Sequence, residues 1–236
     1  MHIDALKILN AERRARRAVI LVTDLGDGSD RIVREDEEVS GDLGEAVAKA
    51  FRSGRSGSIE AGGRSLFLNV QLPQPRLVVI GAVHISQALA PMAKVAGYPL
   101  EIIDPRTAFA SADRFPDVTL HAEWPEIVLA RQPLDSYTAL VAVTHDPKID
   151  DFPLKAALDA NCFYVGALGS RKTHAKRVER LLAGGATPEQ IERIHAPIGL
   201  DIGAASPAEI AVAVLAQLIR AFHARGSGFK SKGEAA

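Results

Sequence analysis

The residues from Arg76 to Arg106, RLVVIGAVHISQALAPMAKVAGYPLEIIDPR, constrain the fold of this chain more than any other stretch. Leu77–Ile80 is a short apolar run rich in β-branched residues, the kind buried on both faces of a parallel sheet. Gly81 ends it. From His84 to Ala96 the apolar residues Ile85, Ala88, Leu89, Met92, Ala93 and Ala96 recur at helical spacing. Gly97 is placed to stop that helix in the left-handed conformation, and Leu100–Ile103 reads as a second strand ending at Asp104. The result is a βαβ unit of about thirty residues. Its crossover is right-handed by rule, and its helix N-terminus points backbone N–H groups at whatever binds beyond Gly81.

A dinucleotide fingerprint requires G-x-G-x-x-G at this turn and an acidic residue about 20 residues later for a ribose hydroxyl. Here the six positions are Gly81-Ala82-Val83-His84-Ile85-Ser86. Asp104 stands where the acidic residue belongs, but Val83 puts a branched side chain where a pyrophosphate needs glycine. Ser86 is small enough to keep helix and strand close. The pattern therefore predicts the fold and argues against NAD(P) as its ligand.

Residues 1–70 have a different texture. Ile3–Arg17 reads as a helix with a basic face, Ala18–Thr23 as a strand and Arg31–Val33 as its return across a Gly/Asp turn. A helix is expected at Glu45–Phe51, a Gly/Ser-rich stretch at Ser53–Gly63 and a strand at Ser65–Val70. Gln71–Pro75, with two prolines, reads as an extended connector. Beyond Asp104 the doubly wound pattern continues. Strands are expected at Val118–His121, Ala139–Thr144 and Cys162–Gly166. Helices are expected at Pro125–Arg131, Asp151–Ala160, Lys172–Leu182, after Thr187, and from a Ser206-x-x-Glu209 capping box to His223. The predicted architecture is α/β: a Rossmann-like, doubly wound, mostly parallel sheet over 76–225, preceded by a small α+β domain over 1–70. Residues 226–236 read as a disordered tail.

Lys and Arg total 28 against 29 Asp and Glu, a formal net charge of −1. That balance gives no reason to expect nucleic acid or an anionic membrane as partner. No early stretch is apolar enough for a signal peptide and no run approaches a spanning segment, so the expected location is cytoplasmic. The one cysteine, Cys162, sits in an apolar strand and reads as buried and inert. Metal spacings such as CxxC or HExxH are absent, and no metal site is expected.

In an open parallel sheet, ligands bind beyond the carboxyl ends of the strands. The candidate site is thus Gly81, Ala82, Val83, His84 and Ser86; Asp104 and Arg106; Thr144, His145 and Asp146; Gly169, Ser170 and Arg171; and Gly199, Asp201 and Gly203 in the APIGLDIG connection. His145 and Asp146 suit acid–base work, metal ligation or clamping of a heterocycle, unless Asp146 simply caps the next helix. Gly169-Ser170-Arg171 offers open backbone, a hydroxyl and a fork for phosphate. The glycines of 199–203 imply tight turns or backbone close to a ligand.

GAVHISQALA, EIIDPRTAFA followed by RFP, VAVTHDPKID, YVGALGSRKT and APIGLDIGAASPAEIAVAVLA together resemble the XdhC/CoxI family, accessory proteins of xanthine dehydrogenase maturation. The likeness runs over roughly residues 75–222. It implies a Rossmann-like domain that binds molybdenum cofactor (molybdopterin with its metal), favours its sulfuration by a cysteine desulfurase and hands it to the apo-molybdoenzyme. It implies a homodimeric maturation factor rather than an enzyme. Two departures stand out. Family members commonly carry GxGHxG at the first turn, and a Gly-Cys-Val-Glu-Gly segment near the N-terminus whose counterpart here, Gly41-Asp42-Leu43-Gly44-Glu45, lacks the cysteine. An NAD(P)-dependent oxidoreductase and a docking scaffold that holds no small molecule are the alternatives.

Overall fold

Alternation in Arg64–Gln71 and unbroken apolarity in Leu77–Ile80 lead to two different sheets in the computed structural model, which describes residues 3–225. The expected tail at 226–236 lies outside the described residues. Packing divides the chain into two units: the described residues up to Gln74 together with 223–225, and Pro75–Phe222.

The first unit contains α1 (Ile3–Arg14), β1 (Val19–Asp24), β2 (Asp30–Arg34), α2 (Gly41–Ser53), β3 (Gly57–Ala61) and β4 (Arg64–Gln71). Its antiparallel sheet has the order β2-β1-β4-β3. Along β4 every second residue from Leu66 to Val70 is buried, and these side chains pack with Ile20, Val22 and Val47. The strand β3 falls within the Gly/Ser-rich stretch Ser53–Gly63. It pairs with β4 from Gly57 opposite Leu68 to Ala61 opposite Arg64. Gly62 and Gly63, at φ +57° and +73°, make the two-residue turn whose twist suits a hairpin. An edge strand with one buried position has little apolar signal to show. The arginines after α1 are partly absorbed: Arg17 and Arg34 both bond the buried Glu12 carboxylate, and Arg17 foremost holds that carboxylate below its usual range.

The second unit contains β5 (Arg76–Ile80), α3 (His84–Val95), β6 (Leu100–Ile103), β7 (Thr119–His121), α4 (Pro125–Arg131), β8 (Thr138–Ala142), α5 (Pro147–Asp159), β9 (Tyr164–Ala167), α6 (Arg171–Ala183), α7 (Pro188–Glu192), β10 (Ile194–His195) and all but the last two residues of α8 (Pro207–Ala224). All six strands run parallel in the order β10-β9-β8-β5-β6-β7. The chain moves outward from β5 to β7 and then returns past β5 to β8. The order therefore reverses between β5 and β8, which makes that gap the switch point of the sheet. The strands are buried on both faces: Leu77 and Val79 pack with Leu89 and Leu218, whereas Val78 and Ile80 pack with Leu154 and Leu158. The strand β10 is two residues long, too short for any periodicity. α5 begins four residues before the expected Asp151, because Asp146 caps it by accepting from Lys148 N.

α8 has the length and hydropathy of a membrane-crossing segment, yet Ala211, Val214 and Leu218 are fully buried in this core. The helix also holds the segment after β10. Gln217 Oε1 accepts from Tyr164 Oη at 2.6 Å and from Gly199 N at 2.8 Å, and Leu200 N donates to Ala213 O at 3.1 Å. A Cβ at Gly199 (φ +92°) would lie 3.0 Å from Ala213 Cβ and 3.2 Å from its carbonyl carbon. Gly203 (φ +70°) has open space instead. Gly199→Ala should therefore lose about 1–2 kcal/mol from backbone conformation and about 1–3 kcal/mol more from crowding. Gly203→Ala should lose only the first part. Chemical denaturation of both variants checks this, and equal losses would contradict the close packing at Gly199.

Candidate functional site

Because the strands are parallel, the segments after β5, β6, β8, β9 and β10 all emerge at one edge of the sheet. At the switch point Gly81 has φ +120°, and a Cβ there would lie 2.9 Å from Thr144 Cγ2 and 3.3 Å from Thr144 N. Only glycine lets the β5 and β8 ends approach this closely. Ser86, fully buried, donates from Oγ to Gly81 O at 2.5 Å, which gives its small size a specific task.

The turn after Gly81 is tied from below. Asp104 is fully buried, and its Oδ2 accepts from Ala82 N at 2.8 Å and from Arg106 Nη2 at 2.7 Å. Its Oδ1 accepts from Arg106 N and Nε, each at 2.9 Å. Burial alone would raise the Asp104 pKa; Arg106 and the two amides outweigh it and hold the carboxyl below its usual value. The Arg106 guanidinium in turn lies over the Phe109 ring at 4.6 Å. Arg114 completes the lock: Nη1 donates to Ala82 O at 3.1 Å and Phe109 O at 2.8 Å, and Nη2 to Gln87 Oε1 at 3.2 Å. Above this base α3 starts without a side-chain cap, with Val83 at the cap position and His84 exposed in the first turn. Among the described residues no side-chain hydrogen bond caps its leading amides.

The loop after β8 is built on another buried acid. Asp150 Oδ1 accepts from Thr144 Oγ1 at 2.7 Å and Oδ2 from His145 N at 3.1 Å, while Thr144 Oγ1 itself accepts from Asp146 N at 3.0 Å. His145 is held at φ +65°, a left-handed conformation for a non-glycine residue, with its ring exposed. Asp146 is the helix cap, but remains half-exposed beside it. Burial pushes the Asp150 carboxyl up to about 6, against the opposing pull of the Thr144 hydroxyl and the Arg177 charge.

After β9, Gly169 takes φ +137° and Ser170 caps α6 by accepting from Thr173 N at 3.2 Å. Arg171, the first residue of α6, is exposed. Asp201 and Gly203 are exposed beyond β10, whereas Gly199 is given over to α8. Gly41-Asp42-Leu43-Gly44-Glu45 opens α2 in the first unit, with Gly41 and Asp42 on the wall of a cavity of about 550 Å³. Burial pushes the Cys162 thiol up to about 12, so it stays protonated.

Three residues of this rim were not legible as site residues: Arg114, Asp150 and Arg177. Each lies in one of the family's motifs or in the helix beside it, but a half-buried or buried charge on a helix or loop has no spacing that announces it. Only for Asp150 was there a signal, its i+4 spacing from the Asp146 cap on an apolar face. The carboxyl of Asp150 should titrate at about 6 when followed by its 13C shift. Thr144→Val, which removes a hydroxyl donor to the ionised form, should move the midpoint higher. A midpoint near 4, insensitive to Thr144, would contradict the buried environment described.

The XdhC Rossmann domain family matches residues 77–218. "Uncharacterized protein YqeB" of Escherichia coli K12 is 33% identical over 167 residues, 70% of this chain and 30% of that protein. A protein of Bacillus subtilis 168 named as a probable subunit of xanthine dehydrogenase is 33% identical over 157 residues, 66% of this chain and 46% of the relative. "Molybdenum cofactor insertion chaperone PaoD" of Escherichia coli K12 is 32% identical over 146 residues, 62% of this chain and 40% of the relative. The chain thus spans less than half the length of these curated relatives. A crystal structure described as a xanthine dehydrogenase from Bacillus halodurans shares the fold, with a TM-score of 0.64 and 24% identity over 98% of this chain and 70% of that one. With its parallel sheet and switch point matched over 77–218, the chain belongs to the XdhC family and carries that family's Rossmann domain.

Proposed function

We propose that the chain is a cytoplasmic accessory factor that binds molybdenum cofactor. It would promote the cofactor's sulfuration by a cysteine desulfurase and its insertion into a molybdoenzyme of the xanthine dehydrogenase type, working as a homodimer. Two relatives with partial coverage are named for such roles, one as a molybdenum cofactor insertion chaperone and one as a probable component of xanthine dehydrogenase.

The observation that carries the reading is the state of Asp104. A dinucleotide-binding Rossmann domain keeps this carboxylate free to accept from the ribose. Here both oxygens are spent on Ala82 N and on Arg106, in a fully buried position. Val83 stands where the pyrophosphate would need glycine. The crevice keeps the placement of a nucleotide site and lacks its two recognition elements, which favours a ligand with a terminal phosphate and no ribose pair to clamp.

The residues present fit a phosphorylated pterin. The uncapped first turn of α3, with His84, offers donors to an anion, and Arg171 adds an exposed guanidinium. His145 and Asp146 supply a donor–acceptor pair for the heterocycle. When bound, the cofactor brings the dithiolene-held molybdenum; the chain's own work is to bind, orient and shelter it. With Cys162 buried and protonated, sulfur delivery belongs to the desulfurase.

Three variants test the reading: Arg171→Lys, His145→Asn and Asp146→Asn. Asparagine tolerates the left-handed conformation of His145 and still caps a helix at 146, so stability should hold. Molybdopterin retained on purification should fall about ten- to a hundred-fold in affinity for Arg171→Lys, through loss of a charge-assisted hydrogen bond. Asparagine at 145 or 146 should impair sulfuration or transfer. Unchanged retention and transfer in all three, at unchanged melting temperature, would contradict the assignment of these loops.

A further inference from the structure

The basic face of α6 carries more charge than the protein around it resolves. Its first turn holds Arg171 and Lys172 and no acid, at the end where the helix dipole disfavours cations. Lys172, Lys176 and Arg180 follow one another at i, i+4 spacing, where like charges repel. Arg180 is relieved by Asp151, which accepts from its Nε at 2.5 Å and its Nη2 at 3.0 Å. Lys172 and Lys176 are exposed and have no acidic partner among the described residues.

Arg177 is the stronger anomaly. Its side chain is buried, with 2% of the residue exposed. Nη2 donates to Leu168 O at 2.8 Å, but Nε and Nη1 are both buried and without any hydrogen-bond partner. A buried guanidinium with two idle nitrogens is a costly arrangement unless something else meets it. Asp150 is near enough to affect it electrostatically, but its oxygens are bonded to Thr144 and His145.

Beside this residue lies a cavity of about 240 Å³, walled by Arg177, Lys172 and Lys176 on α6, by Asp150 and Asp151 in the first turns of α5, and by His145 in the loop before it. It is smaller than the roughly 300–1,000 Å³ of sites that enclose whole ligands, and so suits one end-group of a larger molecule. With Arg180 and Asp151 neutralising each other, three cations face the single carboxylate of Asp150. The geometry points to a binding site for a tetrahedral dianion, a phosphate monoester above all, held by Arg177 with Lys172 and Lys176 closing over it. The inference goes beyond the cofactor reading, and holds whether the phosphate belongs to the pterin or to a separate ester.

The test uses the whole chain and inorganic phosphate, titrated calorimetrically at constant ionic strength with acetate as the monoanion control. Phosphate should bind and acetate should not compete. Arg177→Met should weaken phosphate about ten- to a hundred-fold, the loss expected for a charge-assisted pair. Should that variant fail to fold, Lys172→Met with Lys176→Met changes exposed residues only, and should weaken binding while the melting temperature without phosphate holds. Lys94→Met, exposed near the C-terminal end of α3 and outside the cavity wall, should leave phosphate affinity unchanged. No phosphate binding to the wild type, equal binding to the double variant, or an equal loss in Lys94→Met would overturn the site. Molybdopterin retention in the double variant then names the source. Parallel loss assigns the pocket to the pterin phosphate; retention with phosphate binding lost assigns it to another phosphate ester.

Discussion

The hydrogen bonds that converge on Asp104 underlie the rest of the rim. One carboxylate fastens the amide that follows Gly81, the backbone after β6 and the Arg106 fork into a single cluster. Arg114 then draws the 104–118 connection across the same turn through Ala82 O and Gln87. A buried charge is stable only when paired and hydrogen-bonded, and this one is satisfied on every side. The start of α3 is thereby held rigidly over the switch point, and the acid that a dinucleotide would need becomes part of the scaffold.

A second buried acid behaves in the opposite way. Asp150 has one hydroxyl and one amide for partners, and burial leaves its carboxyl at about 6, whereas Arg106 keeps that of Asp104 low. Asp104 fixes the floor of the crevice. Asp150 ties the β8–α5 loop through the amide of His145, which is left-handed there, and lines the basic cavity.

Most of this fold was legible because it rests on periodicity. The apolar runs of β5, β6 and β8, the helical spacing of α3 and α8, and the caps at Thr187 and Ser206 are local signals, and the structure reproduces them. What periodicity cannot carry was lost. β3 is an edge strand with one buried residue, and β10 spans two residues. The candidate site was legible as a set of loops, since strand direction alone gathers them at one edge. The tasks of individual residues were not. Ser86, Gly199 and Asp146 proved to bond or pack within the protein, and the groups with unmet demand, above all Arg177, lie on helices whose spacing does not mark them.

The central claim is that this Rossmann crevice has exchanged a dinucleotide for a pterin cofactor bearing a terminal phosphate. Native mass spectrometry with metal analysis, on protein purified from a molybdenum-replete host, addresses it directly. The bound mass should equal molybdopterin with its metal, with molybdenum in proportion to it and no NAD(H) or NADP(H). A bound dinucleotide, or a chain that stays empty while the host's cofactor pool is full, would contradict it.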